Sequence, residues 1–479
     1  MLNPTFYSAL ARSILEGESS VDAIVERMRR TLGRNWRWIR PLARRYVRMF
    51  ATDASGVGVQ VRPRRRDVVG FLRTDEGLRD AEHKYKGELR IAEWLTAPGG
   101  MQPADAARSW PIPGIETEGD LAAWLGVRVN ELEWFADLKR LNARGGNGDG
   151  RVSHYHYRML KKTNGNIRLI ESPKKRLKEL QRVILRELVD LVPPHPAVHG
   201  FVKGRSIKTF AAPHVGRHIV LRMDLKDFFP TIAGPRVQAL FRTAGYPERV
   251  ADLLGGICTN AAPRRMWKTL GKGLDVLAVA EARALYAWPH LPQGAPTSPA
   301  LANLCGYRVD CRLRGLAKAL GAVYTRYADD LAFSGDAEFG RCVERFAVQV
   351  AAILLEEGFH VHHRKTRVMR RGVRQHLAGL VINEKANVVR EDFDRLKAIL
   401  TNCVRHGVES QNRERHSAFR LHLDGRVGFV EMVNPEKGKR LRRILEQIRG
   451  TEEVSARTEK SNRRSFDSLR SAPLAQDDK

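Results

Sequence analysis

Cysteine is scarce and scattered in this 479-residue sequence: Cys258, Cys305, Cys311, Cys342 and Cys403 are the only five. None forms a Cys-x-x-Cys pair or stands at zinc spacing from a histidine, which excludes a disulfide framework or a zinc fold as the organising device. An odd, dispersed set of thiols points to a reducing, cytoplasmic setting. Long apolar runs are also missing. No stretch reaches the roughly 18 residues of a membrane span, and residues 1–20 lack the apolar core of a secretory leader. No internal repeat is found, which excludes a solenoid. Acidic residues are few for the basic ones: 54 Asp plus Glu against 83 Lys plus Arg, a net charge of +29. A charge that large repels itself in a compact chain, so a polyanionic partner is the natural reading. Hydrophobic residues, at 43%, suffice for an ordinary core, and the length argues for two to four structural units.

Composition divides the chain. Residues 1–97 read as a helical, basic extension, with Val21, Ile24, Val25 and Met28 at helical spacing among arginines. The run Arg62-Pro63-Arg64-Arg65-Arg66 reads either as a solvated loop or as a phosphate contact. Residues 98–118, rich in Pro and Gly, read as a linker. Two short helices are expected over 120–139, the first capped by Asp120 and stopped by Gly126, with Leu132, Trp134 and Phe135 in the second. No basic recognition face follows them, so packing is favoured over a DNA-reading helix-turn-helix.

Residues 151–172 read as a β-hairpin: Tyr155, Tyr157 and Met159 alternate, Asn164-Gly165-Asn166 turns, and Ile167 and Leu169 return. A basic amphipathic helix follows from about Lys174 to Val192, ended by Pro193-Pro194. Strands and helices then alternate to about 390, residues 391–450 read as mostly helical, and the tail 451–479, low in apolar residues, reads as disordered.

The carboxylates carry the chemistry. The segment from His218 to Leu225 reads as a strand with Ile219, Leu221 and Met223 on one face and Val220, Arg222 and Asp224 on the other. An acid on the polar face at a strand end is well placed to hold a cation. In Tyr327-Ala328-Asp329-Asp330, two β-rich runs flank an Asp-Asp turn, so the pair sits at a hairpin tip. Adjacent carboxylates in an apolar frame repel, and a divalent cation removes the conflict. Three carboxylates with open coordination suit Mg²⁺, and two such ions can activate a 3′-hydroxyl and hold leaving pyrophosphate. Asp224 alone, or an Asp-Asp turn alone, would more often be a cap or a surface acid; their co-occurrence with the elements below changes that.

The Tyr327-Ala328-Asp329-Asp330 box, the run from Leu291 to Pro299 (Leu-Pro-Gln-Gly-Ala-Pro-Thr-Ser-Pro) followed by Leu301-Ala302-Asn303, and the run from His199 to Ile207 (His-Gly-Phe-Val-Lys-Gly-Arg-Ser-Ile) together resemble reverse transcriptases of the bacterial retron type. Order and spacing agree from about Asp120 to residue 450. The resemblance implies an α/β (α+β) right-hand polymerase, with fingers and palm over 119–390, a helical thumb over 391–450 and the helical extension in front. It implies that Asp224 and Asp329 are the principal ligands of two Mg²⁺ ions, with Asp330 and the Leu225 carbonyl joining them. It makes Phe229 a gate against a ribose 2′-hydroxyl, otherwise an ordinary core ring. Gln293 packs beside the incoming nucleotide, and Gly294 lets the backbone approach it closely. Arg168 becomes the triphosphate clamp, and Lys365 becomes the acid that protonates departing pyrophosphate. Implied partners are a structured RNA template and primer, deoxynucleotides, the DNA product or RNA–DNA hybrid and, in anti-phage defence, an effector protein, with no membrane.

Two positions depart from the family's pattern. Phe210-Ala211-Ala212-Pro213-His214 replaces Asn-Ala-x-x-His, and Leu377-Ala378-Gly379 replaces Val-Thr-Gly. Both elements are associated with recognition of the retron's own RNA, so polymerase chemistry is the firmer implication. The competing class is a non-catalytic RNA-binding scaffold descended from a polymerase; the intact acids argue against it.

Overall fold

The computed structural model describes residues 4–16, 19–50, 63–85, 87–94, 100–141, 153–162, 165–271 and 273–448. The tail 451–479, Arg62 and Asn164 lie outside the described residues. The chain divides into two compact units. The first comprises Met1–Pro196, Leu225–Arg312 and Ala352–His360; the second comprises Ala197–Asp224, Leu313–Ala351 and Val361–Lys479.

In the first unit, the amino-terminal helices Pro4–Leu15, Val21–Leu32, Ile39–Phe50, Arg65–Thr74 and Glu76–Lys84 bury one apolar stripe each. Leu10, Ile14, Ile24, Met28, Leu42, Tyr46, Leu72 and Leu78 share a core, and truncating a residue such as Leu42 to Ala costs about 2–5 kcal/mol. Ser20 caps the second helix, its side chain accepting from the Ala23 N–H, and Gly33 ends it in the left-handed region. Asp75 caps the fifth helix and is itself buried. It is satisfied by the Leu78 N–H at 2.9 Å and by the Arg45 guanidinium at 2.7 and 2.8 Å.

The basic run is only partly a loop, because Arg65 and Arg66 open a helix. Arg64 is held by Gln238, and the Arg65 N–H by Glu248. The Pro/Gly-rich stretch is strapped to the same unit: Gln102 and Ala104 donate to the Gly245 and Thr243 carbonyls at 2.8 and 3.0 Å. At Gly245 a Cβ would lie 2.4 Å from the Pro103 nitrogen, so only glycine admits that strap.

The two short helices are Glu118–Leu125 and Val129–Ala136. Thr117, not Asp120, is the cap; Asp120 is its partner three residues on, accepting from the Thr117 N–H. Strands β1 (Tyr155–Lys161) and β2 (Ile167–Pro173) pair antiparallel with Leu160 opposite Arg168. The following helix spans Lys175–Glu187, shorter than its sequence pattern, because a 3₁₀ turn at Val189–Leu191 takes over. That turn lets Val189 and Val192 be buried, and Val192 is already extended, as a residue before proline must be.

The second unit is built on strand β3 (Ile219–Lys226, within the unit to Asp224), the hairpin of β4 (Val323–Tyr327) and β5 (Asp330–Gly335), and the strand Arg367–Arg370. The order β4-β5-β3 is antiparallel throughout, and Arg367–Arg370 pairs antiparallel with β3. These pairings make the class α+β. Strand β3 is buried on both faces rather than one, with only Arg222 and Lys226 reaching solvent. Val220 joins a core with Leu380, Leu400, Val427 and Leu445. The helices Arg390–His406, Phe419–Val433 and 435–448 supply that core. At Leu377-Ala378-Gly379, two short strands meet in a two-residue turn with Ala378 at φ 46° and Gly379 at φ 81°. That geometry is the I′ type favoured by hairpin twist, and it needs glycine more than threonine.

Candidate active site: a carboxylate cluster and a nucleotide-side cleft

In the second unit the two acidic elements meet because β3 and β5 are neighbours, with Asp224 directly opposite Asp330. Tyr327 pairs with Asp330 across the β4–β5 hairpin, so Ala328 and Asp329 form a two-residue loop at its tip. Ala328 has φ 55°, a conformation costing a residue with a Cβ about 1–2 kcal/mol. Two neighbours hold it there. The guanidinium of Arg326, only 1% exposed, donates to the Ala328 carbonyl at 3.1 Å. Gly200 lies against the loop, and a Cβ on it would meet the Ala328 nitrogen at 2.5 Å. The segment around Gly200 is fastened alongside β4 by His199 N–H donating to the Arg326 carbonyl and Arg326 N–H to the Ala197 carbonyl.

The carboxylates differ in environment. Asp224 is buried and takes the Lys365 ammonium on both oxygens at 3.0 Å. Its carbonyl accepts from the His362 N–H, which anchors the turn carrying Lys365. Burial first, then the charge of Asp224, raise the Asp329 carboxyl above the ordinary aspartate range. Asp330 is taken by Arg222, whose guanidinium donates to it at 2.8, 3.0 and 3.1 Å. Asp224 and Asp329 are hard oxygen donors in charge conflict, with an ammonium already on one of them, so the pair fits a divalent cation. Among the described residues no group of three His, Cys, Asp or Glu side chains converges on one point.

Below the hairpin His214 is fully buried and touches Ser334 Oγ at 2.6 Å and Thr325 Oγ1 at 2.7 Å. Burial pushes its pKa down to about 3. This neutral ring ties β4 to β5, so the His of the departing motif is spent inside the protein. Spacing could have flagged it; only the fold shows its partners.

The residues expected to face a nucleotide lie in the first unit. Phe228 and Phe229 divide the apolar and open positions: Phe228 is buried against Phe359 at a ring distance of 5.8 Å. Phe229 is half-buried and lines a cleft of about 350 Å³ with Lys178, Arg182, Gly294 and Pro296. Gly294 has φ 134°, and a Cβ there would sit 2.9 Å from the Glu171 carbonyl oxygen. The Gln293 carbonyl accepts from the Glu171 N–H at 2.9 Å, so β2 and the Gln-Gly turn are joined at one residue. Arg168, three positions before it on β2, is exposed.

Beneath that junction is a polar cluster absent from the sequence reading. The Glu171 side chain is wholly buried; it accepts from Asn260 Nδ2 and meets His290 Nε2, both at 2.8 Å. His290 Nδ1 lies 2.7 Å from the Trp288 carbonyl. Both ring nitrogens therefore face oxygen acceptors, which suits an imidazolium. Burial pushes His290 down, but the Glu171 charge and hydrogen bond and the Trp288 carbonyl outweigh it, and the net shift is up.

Residues 159–394 match the family described as reverse transcriptase (RNA-dependent DNA polymerase). The chain is 43% identical over 336 residues to the retron Mx65 reverse transcriptase of Myxococcus xanthus, covering 69% of this chain and 72% of that one. It is 36% identical over 388 residues to the retron Mx162 reverse transcriptase of the same organism, covering 78% and 74%. To the retron Ec86 reverse transcriptase of Escherichia coli it is 31% identical over 276 residues, covering 57% and 74%. Identity at this level over more than two thirds of a relative, together with paired acids on neighbouring strands, leads to one conclusion: the chain belongs to the bacterial retron-type reverse transcriptases and is an RNA-directed DNA polymerase.

Proposed function

We propose that this enzyme copies a structured, dedicated RNA into DNA by two-metal nucleotidyl transfer, with Asp224 and Asp329 as the metal-holding pair. The observation that carries the reading is the placement of Asp224 opposite Asp330 on neighbouring strands, with Asp329 at the adjoining hairpin tip and Lys365 bonded to both Asp224 oxygens. Mg²⁺ bound there would supply Lewis-acid activation of a 3′-hydroxyl and charge neutralisation at the leaving pyrophosphate. Asp224 and Asp329 present the oxygens, and the Leu225 carbonyl on the same strand adds another. Asp330, bonded here to Arg222, would be the third acid to hold the metal. Lys365, carrying protons within reach of Asp224, delivers one to departing pyrophosphate. Arg168 offers its planar fork to the triphosphate of an incoming deoxynucleotide. Gln293 and Gly294 seat the nucleotide, and the Phe229 ring excludes a 2′-hydroxyl.

The family resemblance extends the reading to a cytoplasmic role in anti-phage defence with an effector protein as partner. Among the described residues no helix is long and apolar enough to cross a membrane.

Primer extension on an RNA template tests the chemistry. Asp224→Asn and Asp329→Asn are expected to abolish synthesis while thermal unfolding remains cooperative. Near wild-type extension by either variant overturns the assignment. A wild-type protein that binds RNA but extends nothing would return the scaffold reading. Sequencing the nucleic acid that copurifies with the protein tests the dedicated template: a single enriched structured RNA is expected, and a random transcript population overturns it.

A further inference from the structure

Outside the polymerase motifs, the first unit carries a second concave site with a chemistry of its own. The helices Arg264–Leu270 and Val276–Leu285 and the segment after them wall a cavity of about 720 Å³. Its polar lining is Arg140, Arg264 and Arg283, its aromatic lining Trp267 and Trp288, and the rest is alanine. Ala280, Arg283 and Ala284 share one helix face, Ala280 lying three and four residues before the other two, and Ala287 follows the helix end, so small side chains floor the space while one arginine rises from it.

Three guanidinium groups face this cavity without a carboxylate among its described lining residues. The side chains of Arg264 and Arg283 have no ion-pair or hydrogen-bond partner among the described residues. Trp288 is 64% exposed, an unusual state for the largest apolar side chain. The Arg140 guanidinium stacks on its ring at 4.4 Å, leaving the ring pre-oriented beside the cavity. Arg140 has a left-handed backbone, φ 56°, its N–H donating to the Asp137 carbonyl at 2.8 Å. A non-glycine residue in that region is held there by its surroundings.

We propose that this cavity binds an unpaired nucleotide of the RNA strand, its base stacked on Trp288 and its phosphates held by Arg264 and Arg283. The inference rests on the RNA-copying function proposed above and assigns a place on the protein for part of that RNA. Stacking on an indole requires a base free of a duplex, while guanidinium forks match phosphate oxygens. A paired helix would meet the same arginines through its backbone but leave the tryptophan unused. An acidic peptide would satisfy the charge but not the flat, alanine-floored space beside the ring.

The site is built into the fingers hairpin. Trp267, Met266, Ala282 and Tyr286 share a core with Ile167 and Leu169 of β2, and the Tyr286 hydroxyl accepts from the Leu169 N–H at 3.3 Å. A strand anchored here is therefore held by the same packed core that carries the strand of Arg168.

Fluorescence anisotropy on the full-length protein tests this with two probes: a primed RNA template bearing an unpaired 5′ extension, and the same duplex cut blunt. Trp288→Ala is expected to weaken binding of the extended probe by roughly tenfold, within the range of one base–aromatic stack. Blunt-probe binding should stay unchanged. Trp288→Phe, which keeps a stacking face, should restore most of the loss, and Arg264→Ala with Arg283→Ala should also weaken the extended probe selectively. Equal losses on both probes, or no loss with Trp288→Ala, overturn the site. So does competition by polyglutamate but not by single-stranded RNA. Primer extension over the unpaired 5′ template of the extended probe reports the polymerase separately. Absent synthesis with a preserved selective binding loss would sink the polymerase reading and leave this site standing.

Discussion

Replacing Glu171 separates an electrostatic role from a packing role at the junction of β2 and the Gln-Gly turn. Its buried carboxylate holds His290 and Asn260 at 2.8 Å each, and its backbone joins Gln293 and lies under Gly294. Glu171→Ala leaves the His290 ring buried without its acceptor at Nε2 and leaves the Asn260 amide with the Tyr157 hydroxyl alone. Breaking a buried pair from one side costs about 3–5 kcal/mol, a large part of the roughly 5–15 kcal/mol that holds a typical domain together. Glu171→Gln should be far milder. Its amide oxygen can still accept from Asn260, and its NH₂ can donate to a His290 ring that has become neutral, so no polar group is orphaned.

The pH dependence carries the sign of the argument. His290 is raised above its ordinary value in the folded protein, so its stabilising contribution is fully present below the unfolded pKa near 6.5 and is lost as pH rises through the folded value. Wild type should therefore lose some stability as pH climbs above neutrality, and Glu171→Gln should lack that limb. Thermal melts of both variants and wild type from pH 6 to about pH 9 give the comparison, and nucleotide KM reports whether the Gln293–Gly294 turn has loosened. Equal destabilisation by Ala and Gln, or an unchanged pH limb in the Gln variant, refutes an ion pair at this site.

Three further outcomes are expected. Phe229→Ala should widen the 350 Å³ cleft and raise ribonucleotide incorporation relative to deoxynucleotide; an unchanged ratio in an active variant means the ring is only packing. Gly200→Ala places a methyl 2.5 Å from the Ala328 nitrogen and must displace the Asp329 loop, so kcat should fall on the order of a hundredfold while the fold survives; full activity contradicts the close approach. With +29 charge, RNA affinity should fall steeply with salt, at a log–log slope near −0.7 per single-stranded phosphate or −0.9 per duplex phosphate contacted; a flat response contradicts an electrostatic interface.

The sequence alone determined what depends on local order. Alternation marked β1, β2 and β3, Gly126 marked a helix end, and the Asp-Asp pair between two β-rich runs marked a hairpin tip. These signals are local because side-chain direction along a strand or helix follows from backbone period, whatever packs on it. Family motifs then brought Asp224 and Asp329 into one hypothesis although they are distant in the chain. Tertiary structure decided the partners. Arg222 looked like one more polar residue on a strand, yet its guanidinium holds Asp330. Arg326, a charged residue on a strand, is almost wholly buried and clamps Ala328. Glu171 and His290 lie far apart in sequence and carry no shared motif, yet they form a buried pair under the Gln-Gly turn. A charged group's role is set by which opposite charge, dipole or solvent it meets through space, and periodicity along the chain holds no record of that encounter.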